Sequence, residues 1–191
     1  MKKFSGKKIS AAVFISGRGS NLKNLINFSY KKKSPIVIDF VFTNNIKAYG
    51  LRYAYEKKIK VYYFKNKNFS VSETKILKIL KKKKIMLICL AGFMKILSNN
   101  FIKKFNGKII NIHPSLLPQY KGLKTHQRVL KNKENYTGCT VHFVNSKLDS
   151  GKIILQKKVK IYKNDKEKNL EKRVLREEHK LYPKAIIKIF S

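Results

Sequence analysis

An asparagine and a histidine stand two positions apart at the end of an apolar run, in the stretch GKIINIHPSLLPQYKG. Because side chains two positions apart on a strand point to the same face, Asn111 and His113 are expected to project together. An imidazole there could act as a general acid near neutral pH, and a carboxamide could donate to a developing oxyanion. The alternative is a histidine that only bonds a neighbouring carbonyl. His126 and His142 remain rival candidates.

Asp149 is the carboxylate that could serve this pair. It lies in the polar stretch NSKLDSG and is one of only ten acidic residues in the chain. An ionised carboxylate near His113 would hold the imidazole in place, favour its charged form and raise its pKa. The alternative is an aspartate that only closes a turn by bonding backbone N–H groups. No cluster has the spacing of a metal site, so no metal is expected, and no serine stands in a nucleophile elbow.

The stretch SGRGSN, residues 16–21, is the candidate for binding an anion. Its two glycines allow tight turns of positive φ, and the N–H groups that follow would open a helix whose N-terminus suits a phosphate. It is not a P-loop, since no GK[ST] follows, and Leu22 stands where a dinucleotide fingerprint has its third glycine. The alternative is a glycine-rich turn in which Ser20 or Asn21 caps the helix.

Strands and helices alternate along the first part of the chain. The strand-length apolar runs are Ile9–Ile15, Ile36–Phe42, Val61–Phe64, Ile85–Ala91 and Ile109–Ile112. The helix-period segments between them are Leu22–Phe28, Ala48–Glu56, Ser72–Leu80 and Leu97–Phe105. Near-continuous apolar strands indicate a parallel sheet with both faces covered. We therefore predict a Rossmann-like α/β fold, with a mostly parallel sheet and helices on both faces.

The pattern changes after Pro118. The longer alternating segments Thr137–Val144 and Lys152–Tyr162 predict antiparallel strands. Glu167–Phe190 predicts a C-terminal helix with a kink or break near Pro183. In an open α/β sheet, chemistry lies at the carboxyl ends of the strands. Because SGRGSN, AGFMKIL and NIHPSLLP all follow predicted strands, the candidate residues are expected at that edge.

The formal net charge of +35 comes from 45 basic and 10 acidic residues. Such a charge would suit a nucleic-acid binder. However, lysines are spread along the whole chain and arginine is scarce, whereas a nucleic-acid reader more often shows arginine clusters with interleaved aromatics. A bias towards Lys, Ile and Asn explains the charge more simply. No specific nucleic-acid partner is expected.

Short segments of the sequence bear on the cellular compartment of the protein and on its contact with membranes. No apolar run is long enough to span a bilayer, and the short one near the start runs into Gly17 without a cleavage site, so neither a membrane role nor a signal peptide is expected. Cys89 and Cys139 form no CxxC pair and are expected as buried thiols in a reducing cytoplasm.

Several segments together resemble the phosphoribosylglycinamide formyltransferases of purine biosynthesis. In chain order they are FISGRGSNL, LAGFMKIL, NIHPSLLP with YKGLKTH, GCTVHFVNSKLDSG and EEHKLYP. NIHPSLLP with a downstream LDSG is typical of folate-dependent formyltransferases, and GRGSN and GLKTH indicate the glycinamide ribonucleotide branch. The resemblance covers nearly the whole chain. It implies formyl transfer from 10-formyltetrahydrofolate to the amine of glycinamide ribonucleotide.

The resemblance also implies roles for individual residues. Asn111 and His113 would stabilise the oxyanion formed by direct attack of the amine, with Asp149 assisting. The ribonucleotide would be held by Gly19, Ser20, Asn21 and Glu178. The folate would be contacted by Met94, Lys95, Ile96, Leu97, Asn111, Asn145, Ser146, Lys147, Leu148 and Asp149.

The same resemblance sets the expected organisation. Residues 1–191 would form a single formyltransferase domain, with a nucleotide-binding half (1–112) and a folate-site half (113–191). The expected partners are small molecules, and the chain would be a monomer or a homodimer. Two departures concern affinity: no arginine stands between Asn66 and Lys75, where relatives often meet the folate's glutamate end, and Leu175 occupies the position of a polar substrate contact.

Two alternative functions remain. A formyltetrahydrofolate hydrolase would use the same three residues with water in place of the amine, although such enzymes usually add an N-terminal regulatory domain. A basic nucleic-acid-binding module would explain the charge but would leave the residues at the strand end without a role.

Overall fold

The computed structural model describes residues 6–64 and 69–190. The strands are β1 (Ile9–Ile15), β2 (Ile36–Thr43), β3 (Lys60–Tyr63), β4 (Leu87–Leu90), β5 (Lys108–His113), β6 (Tyr136–Phe143) and β7 (Ile153–Lys160). The helices are α1 (Ser20–Ser29), α2 (Leu51–Glu56), α3 (Phe69–Lys82), α4 (Asn99–Lys104), α5 (Thr125–Lys131) and α6 (Glu167–Phe190). The predicted alternation of strands and helices is therefore present.

The strands form a sheet in the order β3-β2-β1-β4-β5-β6-β7. β1 pairs in parallel with both β2 and β4, and β2 pairs in parallel with β3. The last two strands, β6 and β7, pair antiparallel, as expected from their longer alternating pattern. A mostly parallel sheet with an antiparallel end and a closing C-terminal helix confirms the predicted fold class.

The chain divides into two compact units, one ending at Ile110 and the other running from Asn111 to Phe190. The core of the first unit is centred on β1, where all five residues from Ala11 to Ile15 are fully buried. The Phe14 ring packs against Phe42 with centroids 4.9 Å apart and against Phe93 at 5.5 Å. A strand buried on both faces explains why β1 reads as a continuous apolar run.

The core of the second unit lies where α6 packs against β6 and β7. The buried apolar residues of the helix are Leu170, Val174, Leu181, Tyr182, Ala185 and Ile186. The helix runs without interruption through Pro183, so the possibility of a break there was wrong. A proline removes only one hydrogen bond of the helix ladder, and the buried residues on either side of it hold both halves in place.

Some element boundaries differ from the prediction. The expected strand Ile85–Ala91 is shorter, and the expected helix Leu97–Phe105 begins at Asn99 because Ser98 caps it, accepting the N–H of Phe101 at 3.1 Å. Helix α5 was not predicted, because a helix of seven residues shows too little of the 3.6-residue period to be recognised. No helix within residues 6–64 and 69–190 is long and apolar enough to cross a membrane.

Candidate active site

The three residues proposed for chemistry lie together in the second unit. Asn111 and His113 occupy the end of β5 and point the same way, as their spacing predicts. Asp149 follows β6 and reaches both of them. Its Oδ2 lies 3.3 Å from Nδ1 of His113, and its Oδ1 accepts a long hydrogen bond of 3.4 Å from Nδ2 of Asn111. The structure therefore brings a carboxylate, an imidazole and a carboxamide into contact.

The loop between β6 and β7 positions the Asp149 carboxylate. Asp149 has a left-handed backbone conformation, with φ of 45°, and its Oδ2 accepts the N–H of Gly122 at 2.8 Å. The loop closes tightly, because a Cβ on Gly151 would overlap the carbonyl of Phe143. The glycine of the LDSG motif is thus required by a close backbone approach.

Both ring nitrogens of His113 face hydrogen-bond acceptors. Nε2 lies 2.8 Å from the carbonyl oxygen of Tyr120, which can only accept, so Nε2 carries a proton and donates. Nδ1 faces the Asp149 carboxylate. The Tyr120 carbonyl is held in turn because the Tyr120 hydroxyl donates to Glu134 at 2.5 Å and accepts from Asn132 at 2.9 Å. This geometry suits a doubly protonated imidazolium.

The pKa of His113 is nevertheless lowered overall, which contradicts the expectation that it would lie above its ordinary value in the folded protein. Burial of the ring is the largest cause and lowers the pKa, because it disfavours the charged form. The Tyr120 carbonyl and the Asp149 charge act in the opposite direction but do not offset the burial. The expectation was wrong because the sequence showed the carboxylate but not how deeply the ring lies, with only 5% of His113 exposed.

Asp149 itself has a lowered pKa. Burial would raise it, but contact with His142, the hydrogen bond from Gly122 and the charge of His113 together outweigh the burial. The carboxylate is therefore ionised at neutral pH. An ionised acceptor beside a buried imidazole can take up or hold a proton in this cluster.

His142 also belongs to the cluster, although sequence reasoning named it only as a rival to His113. Its Nδ1 donates to the Phe143 carbonyl at 2.8 Å, and its Nε2 lies 3.3 Å from Nδ2 of Asn111 and 3.6 Å from Oδ1 of Asp149. His142 thereby orients the carboxamide. A polar residue within a buried strand pattern was the available signal. The other rival, His126, lies half-buried on α5.

The proposed phosphate turn lies in the first unit, between β1 and α1. Gly19 occupies the N-cap position with φ of 72°, and no side chain caps the helix, so the alternative with Ser20 or Asn21 as N-cap was wrong. The Gly19 carbonyl accepts the N–H of Lys23 at 2.9 Å. The N–H groups in the first turn of a helix point out from its N-terminus, so those of Ser20 and Asn21 are directed as an anion site requires.

The segment proposed to flank the folate follows β4 in the same unit. Met94 and Ile96 expose 62% and 70% of their surface, whereas Leu97 is buried. Lys95 is also exposed. The backbone N–H of Met94 donates to Oγ of Ser16 at 2.8 Å, which fixes the segment at its start. Exposed apolar side chains on a fixed backbone are typical of a surface that receives an apolar ring.

The remaining proposed contacts lie in separate places. In the second unit, Asn145, Ser146, Lys147 and Leu148 form an exposed loop, in which Oδ1 of Asn145 accepts the Lys147 N–H at 3.0 Å. Glu178 is buried on α6, and Leu175 lies almost one turn before it. In the first unit, residues 66–68 of the segment lacking arginine lie outside the described residues. Within the part of the chain that is described, no group of three or more His, Cys, Asp or Glu could hold a metal ion.

Comparison with known proteins shows consistent similarity. Residues 9–186 match the family model described as formyl transferase. The chain is 44% identical to the phosphoribosylglycinamide formyltransferase of Haemophilus influenzae, covering 97% of this chain and 87% of that protein. It is 42% identical to the human trifunctional purine biosynthetic protein adenosine-3, of which it spans 18%. It resembles the crystal structure of phosphoribosylglycinamide formyltransferase from Brucella melitensis with a TM-score of 0.90, at 41% identity and 96% coverage of both chains.

Proposed function

The chain belongs to the formyl transferase family, and we infer that it is an enzyme of purine biosynthesis that formylates the amine of glycinamide ribonucleotide. The formyl donor is 10-formyltetrahydrofolate, the co-substrate expected for this family. The observation that supports this chemistry best is the contact of Asp149 with both His113 and Asn111. The three groups offer a proton acceptor, an imidazole that can carry a positive charge and a neutral hydrogen-bond donor, which acyl transfer to an amine requires.

The first step is attack of the substrate amine on the formyl carbon. A carbon–nitrogen bond forms, and the carbonyl electron pair moves onto oxygen to give a tetrahedral oxyanion. Nδ2 of Asn111 donates to this oxyanion by giving up its two long contacts, of 3.3 and 3.4 Å. Burial disfavours the charged form of His113 in the free enzyme, but the developing oxyanion favours it, and protonated His113 in turn stabilises that negative charge. Both ring nitrogens of His113 face acceptors, Tyr120 and Asp149, so the ring stabilises the oxyanion through its positive charge. For a ring N–H to donate directly to the oxyanion, His113 must break one of these two contacts.

The second step is collapse of the intermediate. The oxyanion electrons re-form the carbonyl, the bond from the formyl carbon to N10 of the folate breaks, and N10 gains a proton. The attacking amine loses a proton of its own, which Asp149 accepts through a water molecule. Asp149 passes this proton on to N10 through water and returns to its ionised form, so the step is balanced, and no covalent enzyme intermediate is required.

Substrate binding is assigned to the remaining predicted residues. Gly19, Ser20 and Asn21 hold the phosphate, and Glu178 contacts the ribonucleotide. The segment Met94–Leu97 and the loop of residues 145–149 contact the folate.

The organisation and location of the enzyme complete the proposal. The chain acts as one formyltransferase domain over residues 1–191, with a nucleotide-binding half (1–112) and a folate-site half (113–191). Its partners are small molecules. The two buried cysteines, Cys89 and Cys139, are both thiols, which supports a cytoplasmic location.

Product analysis tests this function. Purified protein is incubated with 10-formyltetrahydrofolate in the presence and absence of glycinamide ribonucleotide, and tetrahydrofolate, formate and the formylated ribonucleotide are quantified. Formyl transfer predicts that tetrahydrofolate and formylated ribonucleotide appear in equal amounts and only with the ribonucleotide present. Release of formate at the same rate without ribonucleotide would instead identify a hydrolase.

A further inference from the structure

Two glycines that each precede a helix meet backbone to backbone in the first unit. Gly19 precedes α1 and Gly50 precedes α2, and both are buried. We propose that Gly50 is a positioning residue for the ribonucleotide phosphate, because its bare backbone lets α2 support the turn that presents the N–H groups of Ser20 and Asn21. This inference rests on the proposed phosphate site and adds a residue that does not itself contact the anion.

The need for glycine at position 50 comes from proximity rather than from backbone conformation. Gly50 has φ of −64° and ψ of −17°, which any residue adopts without strain. A Cβ at this position, however, would lie 2.6 Å from the Cα of Gly19, 3.0 Å from its N and 3.1 Å from the carbonyl oxygen of Gly17. All three are backbone atoms, so no side chain can move aside to make room.

The close contact between Gly19 and Gly50 also requires a glycine at position 19. A Cβ on Gly19 would overlap the Cα of Gly50, and Gly19 also needs its positive φ. The N–H of Gly50 donates to the carbonyl oxygen of Gly17 at 3.0 Å. This bond engages a carbonyl whose partial negative charge would otherwise repel a nearby phosphate. Gly50 thus contributes a van der Waals surface for Gly19 and a hydrogen bond for Gly17.

The test is Gly50→Ala with steady-state kinetics for both substrates. The added methyl group must displace Gly19 and with it the N–H groups that follow. Weakening one charge-assisted hydrogen bond to phosphate raises KM for glycinamide ribonucleotide about tenfold. KM for 10-formyltetrahydrofolate and kcat at saturation should stay within about twofold, because neither depends on the phosphate contact. Unchanged KM for the ribonucleotide, or an equal rise in both KM values, would overturn the proposal.

Gly107→Ala is the matched control. It is equally crowded, since its Cβ would lie 2.7 Å from the carbonyl oxygen of Met86, but it is not part of the phosphate turn. This variant should lose stability comparably, measured by Tm, while keeping the wild-type KM for the ribonucleotide. If Gly107→Ala raised that KM as much as Gly50→Ala does, the effect would be general destabilisation and the proposal would fail.

A second measurement uses the wild-type protein and needs no formyl transfer. Inorganic phosphate is titrated while backbone amide resonances are followed by NMR. The Gly50 amide should shift together with those of Ser20 and Asn21, and the Gly107 amide should not. A Gly50 amide that is unresponsive while the other two shift overturns the role of Gly50 alone. If Ser20 and Asn21 do not respond either, the phosphate site itself is wrong, and the proposal falls with it.

Discussion

Asp149 uses both of its carboxylate oxygens within the cluster. Oδ2 accepts from Gly122 and faces His113, while Oδ1 faces Asn111 and His142. Asp149 does bond a backbone N–H, as the turn-closing alternative expects, but it also contacts three side chains of the cluster. That N–H belongs to Gly122, 27 positions earlier in the chain, so the bond joins two loops rather than closing one turn.

Replacement of Asp149 by asparagine separates charge from shape. Asp149→Asn should lower kcat at least about tenfold, because the amide cannot take the amine's proton. Without the carboxylate the pKa of His113 should fall further, so the limb of the pH–rate profile that reports His113 should move to lower pH. Asp165→Asn, which removes a carboxylate paired with Arg173, is the control and should keep the wild-type rate. If Asp149→Asn kept both rate and profile, Asp149 would be structural only.

His113 is tested by a substitution of similar size. His113→Asn should reduce kcat at least about a hundredfold, because the cation that stabilises the oxyanion is lost, while both KM values stay nearly unchanged. His126→Asn serves as the control, since it removes a half-buried histidine from α5. A His113→Asn variant with kcat near the wild-type value would remove His113 from the mechanism.

At the scale of elements, Ser16 ties the ends of three neighbouring strands together. It directly follows β1, its hydroxyl donates to Oδ1 of Asn44 after β2 at 2.5 Å, and the same oxygen accepts the N–H of Met94 after β4. The Ser16 N–H donates to the carbonyl of Gly92 at 3.1 Å. In an open α/β sheet, these carboxyl ends are where a ligand binds.

Removal of the Ser16 hydroxyl should therefore affect folate binding. Ser16→Ala leaves the Met94 N–H and the Asn44 side chain without their partner, at a cost of about 1–3 kcal/mol in the free energy of unfolding. KM for 10-formyltetrahydrofolate should rise roughly three- to tenfold, as a segment free to shift by part of an ångström makes weaker contacts. Ser10→Ala, at the opposite end of β1, controls for loss of a hydroxyl. A folate KM equal to that of the wild type would contradict the role of Ser16.

Sequence patterns predict an element well where its burial is uniform. They do not predict contacts between residues that are far apart in the chain. β1 is apolar throughout because both of its faces are covered, and its predicted bounds are those observed. Asn111 and His113 could be paired because the period of a strand places them on one face. The Tyr120 carbonyl and Gly122 could not be predicted as neighbours of His113 and Asp149. Those contacts depend on how the loop after Pro118 folds, which no local period describes.

At the scale of the whole molecule, His113 makes stability depend on pH. Its folded pKa lies below its ordinary value of 6.5, so below that pH the unfolded state binds the proton more readily. The free energy of unfolding should therefore fall as pH drops from about 6.5 through the folded pKa, and this contribution should be constant above 6.5. Comparing the free energy of unfolding in urea between the wild type and His113→Asn at pH 5 to 8 isolates the contribution of His113. A difference between the two proteins that does not change with pH would contradict the lowered pKa.

The charge of +35 should produce binding to DNA that is weak, independent of sequence and sensitive to salt. Retention on double-stranded DNA at about 50 mM salt should be lost by roughly 200 mM, because displaced counterions drive such binding. Two unrelated duplexes should behave alike. Retention of one duplex but not the other at the higher salt would support a specific nucleic-acid role and contradict the compositional explanation.

Strand β5 begins in one compact unit and ends in the other, with the boundary between Ile110 and Asn111. Any exchange of one unit between relatives would cut the strand immediately before the asparagine and histidine it carries. The two units therefore cannot be recombined as modules in the way that domains joined by a linker can. Crossover points tolerated in evolution or in chimaera construction should fall outside residues 108–113, and this stretch should be inherited in one piece.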